Sequence, residues 1–255
     1  MDELVLREEM EGIGVLTLNR PGARNALNGA MSAALRAGID WIEAAPQIRV
    51  GILCANGPAF CAGMDLKAFA AGEQAEILEG AGGLGGLVRR DRTKPLIAAV
   101  GGPALAGGFE LALACDMLVA GPEARFGLPE PRRGLIAGAG GVFRLAARLP
   151  PARAAEILLT GRSFDRAEAG SLGLVSRQAP GDPREEALRL AQEIAECAPL
   201  SVTAILRLMR AGAAAAEPAL WAESDRLFAP IAGSQDAREG ALAFAEKRAA
   251  NWRGC

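Results

Sequence analysis

Hydrophobic and polar positions change period along the first half of the chain. Leu4 to Arg7 and Ile13 to Leu18 read as a hairpin, the second strand alternating through Gly14-Val15-Leu16-Thr17-Leu18 and ending at Asn19-Arg20-Pro21. Met31, Leu35, Ile39 and Ile42 then fall at helical spacing, which predicts a helix from Met31 to Ala44 that stops before Pro46. Arg49 to Ala55 is a buried strand running into the turn Asn56-Gly57-Pro58, and Leu96 to Val100 is another, bounded by Pro95 and by Gly101-Gly102-Pro103. After that turn comes Gly107-Gly108, then Phe109 to Cys115, apolar on nearly every side except at Glu110. A helix apolar all round belongs in a core. Strand, helix, strand and a further strand-helix unit predict an α/β fold with parallel crossovers.

Between these elements, Ala59 to Leu66 is a loop entering a helix, and Glu73 to Glu79 is a polar helix. Gly80, Gly82, Gly83, Gly85 and Gly86 follow; glycine weakens a helix by roughly 1 kcal/mol each, so this stretch is either a flexible loop or a flap over a pocket. It is not a phosphate-binding P-loop, for no G-K-[ST] follows. Later helices are expected at Val142 to Leu149 and at Ala152 to Leu159. Asp165-Arg166-Ala167-Glu168 fits a capping box for a short helix ending at Gly170 to Gly173, after which Leu174-Val175 returns to extended structure. Gly181-Asp182-Pro183 starts a helix to about Ala198. Beyond Pro199 the pattern is helical throughout, at Ser201 to Ala211, Glu217 to Phe228 and Ser234 to Asn251. Two regions are therefore expected, a core over 1–198 and an all-helical region over 199–255.

Composition narrows the chemistry. The net charge of −2, from 28 Lys and Arg against 30 Asp and Glu, gives no electrostatic footprint for nucleic acid. No apolar run approaches the roughly 20 residues that span a bilayer, and the acidic start is no secretory signal, so a cytoplasmic protein without membrane contact is expected. The five cysteines show no C-x-x-C pairing and read as reduced, largely buried thiols. There is no histidine and no tyrosine. That excludes Ser-His-Asp and Cys-His catalysis and removes the commonest zinc and iron ligand. Carboxylates, lysines and thiols remain as acids and bases.

Two carboxylates stand out. If a helix begins near Gly107, its free N–H groups and positive dipole end form an oxyanion-binding geometry with Glu110 in the first turn. Glu130 precedes Pro131, which biases it toward an extended loop or strand end. Acids on separate elements can flank a bound molecule. On the residues alone, Glu110 is equally an acid favoured by a helix start, and Glu130 a loop carboxylate near Arg132 and Arg133.

A-F-C-A-G-M-D-L at Ala59 to Leu66, A-L-A-G-G-F-E-L-A-L-A-C-D around Gly107, F-G-L-P-E ending at Glu130 and G-L-I-A-G-A-G-G ending at Gly141 resemble the enoyl-CoA hydratase/isomerase (crotonase) family. The similarity runs from N-R-P-G-A-R-N-A-L-N at Asn19 to F-A-E-K-R-A-A-N-W at Phe244, nearly the whole chain. It implies a crotonase-like spiral of ββα units with a C-terminal helical region that builds trimers, often paired into hexamers. It implies main-chain amides of Met64 and Gly107 as thioester-oxygen donors and Glu110 and Glu130 as the catalytic pair; which is acid and which base stays open, the working hypothesis being that Glu110 activates water and Glu130 supplies the α-proton. For the coenzyme A portion of an acyl-CoA substrate it implies Ala23, Arg24, backbone around Ala62, and Lys67, with Phe244 and Lys247 reaching in from an adjacent subunit. Arg24 departs from the aliphatic residue common there. Gly138 stands where dienoyl-CoA isomerases carry an extra acid, which counts against that activity; the missing tyrosine counts against hydroxycinnamoyl-CoA and naphthoate chemistry. The implied activity is enoyl-CoA hydration, with no metal and no redox cofactor, coenzyme A being part of the substrate. The alternatives are Δ3-Δ2 enoyl-CoA isomerisation, a related acyl-CoA dehydration, or a silent CoA-binding or RNA-binding role.

Overall fold

The computed structural model describes residues 3–214, 217–251 and 253. In chain order the elements are β1 (Val5–Met10), β2 (Ile13–Leu18), α1 (Gly29–Ala44), β3 (Val50–Ala55), α2 (Leu66–Ala70), α3 (Gln74–Leu78), β4 (Leu96–Val100), β5 (Pro103–Leu105), α4 (Gly107–Ala114), β6 (Met117–Ala120) and β7 (Arg125–Gly127). They continue with α5 (Gly141–Arg148), α6 (Pro151–Thr160), β8 (Ser163–Asp165), α7 (Arg166–Ser171), β9 (Arg177–Gln178), α8 (Pro183–Ala195), α9 (Pro199–Ala214), α10 (Glu217–Ala232) and α11 (Gln235–Glu246).

The predicted hairpin is present: β1 and β2 pair antiparallel, Met10 opposite Ile13. From β2 onward the main sheet is parallel, with six strands in the order β1-β2-β3-β4-β6-β9. Parallel neighbours need crossovers, and α1 supplies the first. The Asn28 side chain caps it by accepting from Met31 N at 2.9 Å, and it buries Met31, Leu35, Ile39 and Ile42. Each such side chain contributes roughly 1.5–3 kcal/mol by leaving water. α8 covers the opposite face, where Ala187 and Ala191 pack with Val15, Ile52, Ile97 and Val119.

A second sheet of three strands, β5-β7-β8, stands beside the first. Its strands are three residues each, too short to leave a period in the sequence, and β5 occupies the stretch expected to be a turn. Phe109 of α4 meets Phe126 of β7 and Phe164 of β8 with ring centroids 5.3 and 6.0 Å apart. These contacts seat the buried helix α4 on the small sheet, which fixes where its N-terminus points.

Several boundaries move. The extended return expected at Leu174-Val175 comes at β9, and α8 ends at Ala195, short of Ala198. α11 stops at Glu246 because Lys247 takes a left-handed conformation, φ +55°, and caps it, so the helix does not reach Asn251. The boundary expected between 198 and 199 falls in the short link between α8 and α9. α9 is tied to the core by Arg210, which reaches Asp116 at 2.8 and 2.9 Å and also the Arg92 carbonyl. α11 lies against the 3-10 turn Glu130–Arg133, so closely that a β-carbon on Gly240 would come within 2.2 Å of the Arg133 carbonyl oxygen. Cys54, Cys61 and Cys115 are free and buried, Cys197 is free and exposed, and Cys255 lies outside the described residues. Among the described residues no helix is long and apolar enough to cross a membrane.

Candidate active site

The site begins where two loops meet. Leu27 N–H donates to the Gly63 carbonyl and Asp65 N–H to the Leu27 carbonyl, both at 2.8 Å, so the chain at Gly63-Met64-Asp65 runs as a short parallel bridge beside Leu27. Successive amides in extended chain point to opposite sides. With Asp65 N–H turned toward Leu27, Met64 N–H faces the other way, toward α4.

There it meets Gly107, the first residue of α4, whose N–H has no carbonyl within the helix to bond. A β-carbon built on Gly107 would lie 3.6 Å from Met64 N, so the two residues are close neighbours. The approach depends on glycine at two points. Gly63 adopts φ +96°, and a β-carbon there would press on Gly107 N at 3.0 Å; one on Gly108 would fall 2.1 Å from the Cys61 carbonyl oxygen. Ala106, the N-cap of α4, is held at φ +51°, ψ −131°, a region that costs a non-glycine residue on the order of 1–3 kcal/mol. Its amide donates to Gly127 at 2.9 Å and its carbonyl accepts from Phe109 at 2.9 Å and Glu110 at 3.0 Å, bonds that hold the strained peptide in place. An ion pair, Arg20 Nη1 to Asp65 Oδ2 at 2.7 Å, ties the other loop, and Asp65 also caps α2 through Lys67 N and Ala68 N.

One turn along α4, Glu110 is buried, and its Oε1 accepts from Ala139 N at 2.7 Å and Gly141 N at 2.9 Å. Oε2 is left for a further donor. Burial raises the Glu110 carboxyl above the usual carboxylate range; the two amides and the positive charge of Arg144 pull it back down. Glu130 is also buried, and its Oε2 accepts no hydrogen bond. Burial lifts it well above its ordinary value, the negative charge of Glu110 lifts it further, and Arg133 opposes this. The two amides on Glu110 Oε1 favour its charged form, whereas Glu130 Oε2 has no donor to offset its burial, so the two carboxyls sit in unequal environments and titrate as a pair. Glu130 was expected on extended chain. It instead opens a 3-10 turn with Pro131 second, a position where the missing proline N–H costs nothing.

The other expected residues separate into two groups. Ala23 ends the 3-10 turn Pro21–Ala23, and the Arg24 carbonyl accepts from Ala62 N at 3.0 Å, so the loop of Ala23 and Arg24 lies directly against Ala62, with exposed Lys67 opening α2 just beyond Met64. Phe244 and Lys247 stand elsewhere, on and at the end of α11, where the half-exposed Phe244 ring lies 4.5 Å from the Arg133 guanidinium. Gly138 sits against α10: a β-carbon on it would be 2.7 Å from the Phe228 ring, so a larger residue there would require that ring to shift. The glycine-rich stretch is a packed 3-10 turn, Leu84–Gly86, and Leu84 Cδ2 would be 2.9 Å from a β-carbon on Gly107. Burial pushes the Cys61 thiol up to about 12, so it stays protonated and unreactive.

Sequence reasoning missed the amides of Ala139 and Gly141 that hold Glu110. The signal was present in G-A-G-G opening a helix, whose first N–H groups must bond something outside it.

The enoyl-CoA hydratase/isomerase family model matches residues 8–255. The chain is 41% identical over 246 residues to a carnitinyl-CoA dehydratase of Proteus mirabilis (strain HI4320), covering 94% of each protein. It is 39% identical over 258 residues to a 2,3-dehydroadipyl-CoA hydratase of Escherichia coli (strain K12), covering 100% of both. The crystal structure of a carnitinyl-CoA hydratase from Mycobacterium avium superposes with a TM-score of 0.95 at 42% identity, over 100% of each chain.

Proposed function

The chain belongs to the enoyl-CoA hydratase/isomerase family and is a hydro-lyase of acyl-CoA thioesters, and from that premise we propose how its site adds water across the 2,3 double bond. The thioester oxygen of a 2-enoyl-CoA enters between Met64 N–H and Gly107 N–H. There the negative charge that develops as water attacks C3 meets two preorganised donors, each worth roughly 3 kcal/mol in the transition state. Glu110, ionised and held through Oε1, takes a proton from water with Oε2 as the oxygen bonds to C3. The electron pair of the double bond moves onto the thioester as an enolate. Protonated Glu130 then gives its proton to C2, the enolate collapses to the 3-hydroxyacyl-CoA, and transfer of the captured proton from Glu110 to Glu130 restores the pair. Run backwards, the same steps are dehydration.

The observation that carries this reading is the pairing of two buried carboxyls in unequal environments beside two convergent amides. A second glutamate is not needed merely to move a double bond, so the pair favours hydration over isomerisation. The test follows loss of 2-enoyl thioester absorbance with crotonyl-CoA and water. Saturable turnover to 3-hydroxybutyryl-CoA supports the proposal, and absence of turnover across short, long, branched and aromatic enoyl-CoAs refutes it.

Ala23, Arg24, Ala62 and Lys67 form the rim along which the coenzyme A moiety runs, with the two cations near its phosphates. We assign a homo-oligomer, a trimer or a dimer of trimers, because α9 exposes Leu200, Ile205, Leu208 and Met209 together. In that assembly Phe244 and Lys247 serve a neighbour's site. Light scattering on the purified protein decides this, and a monomeric mass rejects it.

A further inference from the structure

Arg144, in the first turn of α5, touches every wall behind Glu110. Its Nη2 donates to the Val88 carbonyl at 2.6 Å, which joins α5 to the segment following the glycine-rich turn. Nη1 lies 3.4 Å from the Ala139 carbonyl, the far side of the peptide whose neighbouring N–H holds Glu110 Oε1. The guanidinium packs across Gly140 so closely that a β-carbon there would be 2.7 Å from Nη1. Its carbon lies 5.4 and 5.5 Å from the rings of Phe143 and Trp221, and Arg89 covers Trp221 at 4.0 Å while pairing with Asp225 of α10. One cation thus joins the turn that holds the base, the segment after the glycine-rich turn, and α10.

We propose that Arg144 is a positioning residue for hydration: it locks the Ala139–Gly141 turn so that Glu110 Oε2 faces the attacking water, and it supplies the positive charge that favours the ionised base. This rests on the function proposed above. Among the described residues, the charged groups bearing on Glu110 are Glu130 from its 3-10 turn, with Arg133 beside it, and Arg144 from α5, and of these Arg144 favours a carboxylate at 110 directly. Taking away its charge makes Glu110 harder to ionise, so the acid limb of kcat moves to higher pH.

The experiment measures kcat and KM for crotonyl-CoA across pH in the wild type, Arg144→Gln, Arg144→Met and Arg144→Lys. Met keeps the stem packed on Phe143 and Trp221 without the charge, which covers the case in which Gln does not fold. In the neutral variants kcat falls roughly 10–100-fold with KM changed far less, and the acid limb rises by roughly one pH unit. In Lys the limb returns toward the wild-type position while kcat stays depressed for want of the guanidinium fork. A neutral variant that keeps the wild-type limb, or loses activity through KM alone, overturns the proposal. Inactivity of the wild type itself would instead reject the functional assignment.

Discussion

The two halves of the site are built from different parts of the chain's chemistry. In the proposed mechanism the oxyanion corner is backbone: Met64 and Gly107 would offer N–H groups, and their placement is set by a parallel bridge, a strained alanine, two glycines and an ion pair. The acid half is side chain: two glutamates buried where carboxylates are costly, one satisfied by two amides and one with an orphaned oxygen. The proposed mechanism therefore makes the first half sensitive to backbone change and indifferent to the side chain at Met64, and the second half sensitive to side-chain chemistry. Preorganised dipoles and mismatched acids are separate requirements of one transition state, met by separate means.

Substitutions can break either half alone. Glu110→Gln or Glu130→Gln keeps the shape and removes proton transfer, so kcat for crotonyl-CoA hydration should fall on the order of 10²–10⁴-fold; near-normal turnover removes that residue from the mechanism. Gly63→Ala leaves both acids intact but forces a strained φ and pushes a methyl toward Gly107 N, with an expected loss of about 10²–10³-fold in kcat.

Glu130→Gln should also show in stability. The raised carboxyl value of the folded chain means that, between the ordinary value and the raised one, the folded protein keeps a proton that the unfolded chain releases, so stability falls as pH rises through that window. The variant lacks this loss. Its melting temperature should match the wild type near pH 5 and exceed it by about 2–4 °C near pH 9 if roughly 1 kcal/mol is at stake; equal melting curves at both pH values would contradict the raised value. The smallest effect belongs to Met64→Leu, a volume-conserving change at a position used for its amide, which should hold kcat within about twofold.

How far the site was legible follows the same division. Glu110 and Gly107 could be placed from a polar residue in an all-apolar helix that begins at paired glycines, because a helix start has only one electrostatic sense. Strands β1 to β4 of the main sheet showed in their apolar runs, whereas β6 was not anticipated and β9 was expected slightly earlier, at Leu174-Val175. β5, β7 and β8 left no pattern, since three residues cannot express a period, and they exist because α4 and the phenylalanine cluster cover them. Glu130 was expected to be extended because Pro131 biases its predecessor, but packing against Gly240 and capping at Gly134 hold the turn. The packed glycine-rich turn escaped notice because its left-handed residues at Gly82, Gly83, Gly85 and Gly86 let Leu84 bury where propensity alone suggested only flexibility. Arg144 lay within a predicted helix, and only three-dimensional placement shows what it touches.

The central claim is that Met64 and Gly107 amides converge on one carbonyl oxygen. It is tested most directly by the thioester carbonyl stretch of an enoyl-CoA bound to the slow Glu110→Gln variant, isotope-labelled at that carbon. A shift to lower wavenumber than in water, diminished when Gly63→Ala is added, is the result expected. A bound carbonyl that absorbs where the free thioester does would show that the two amides do not polarise it.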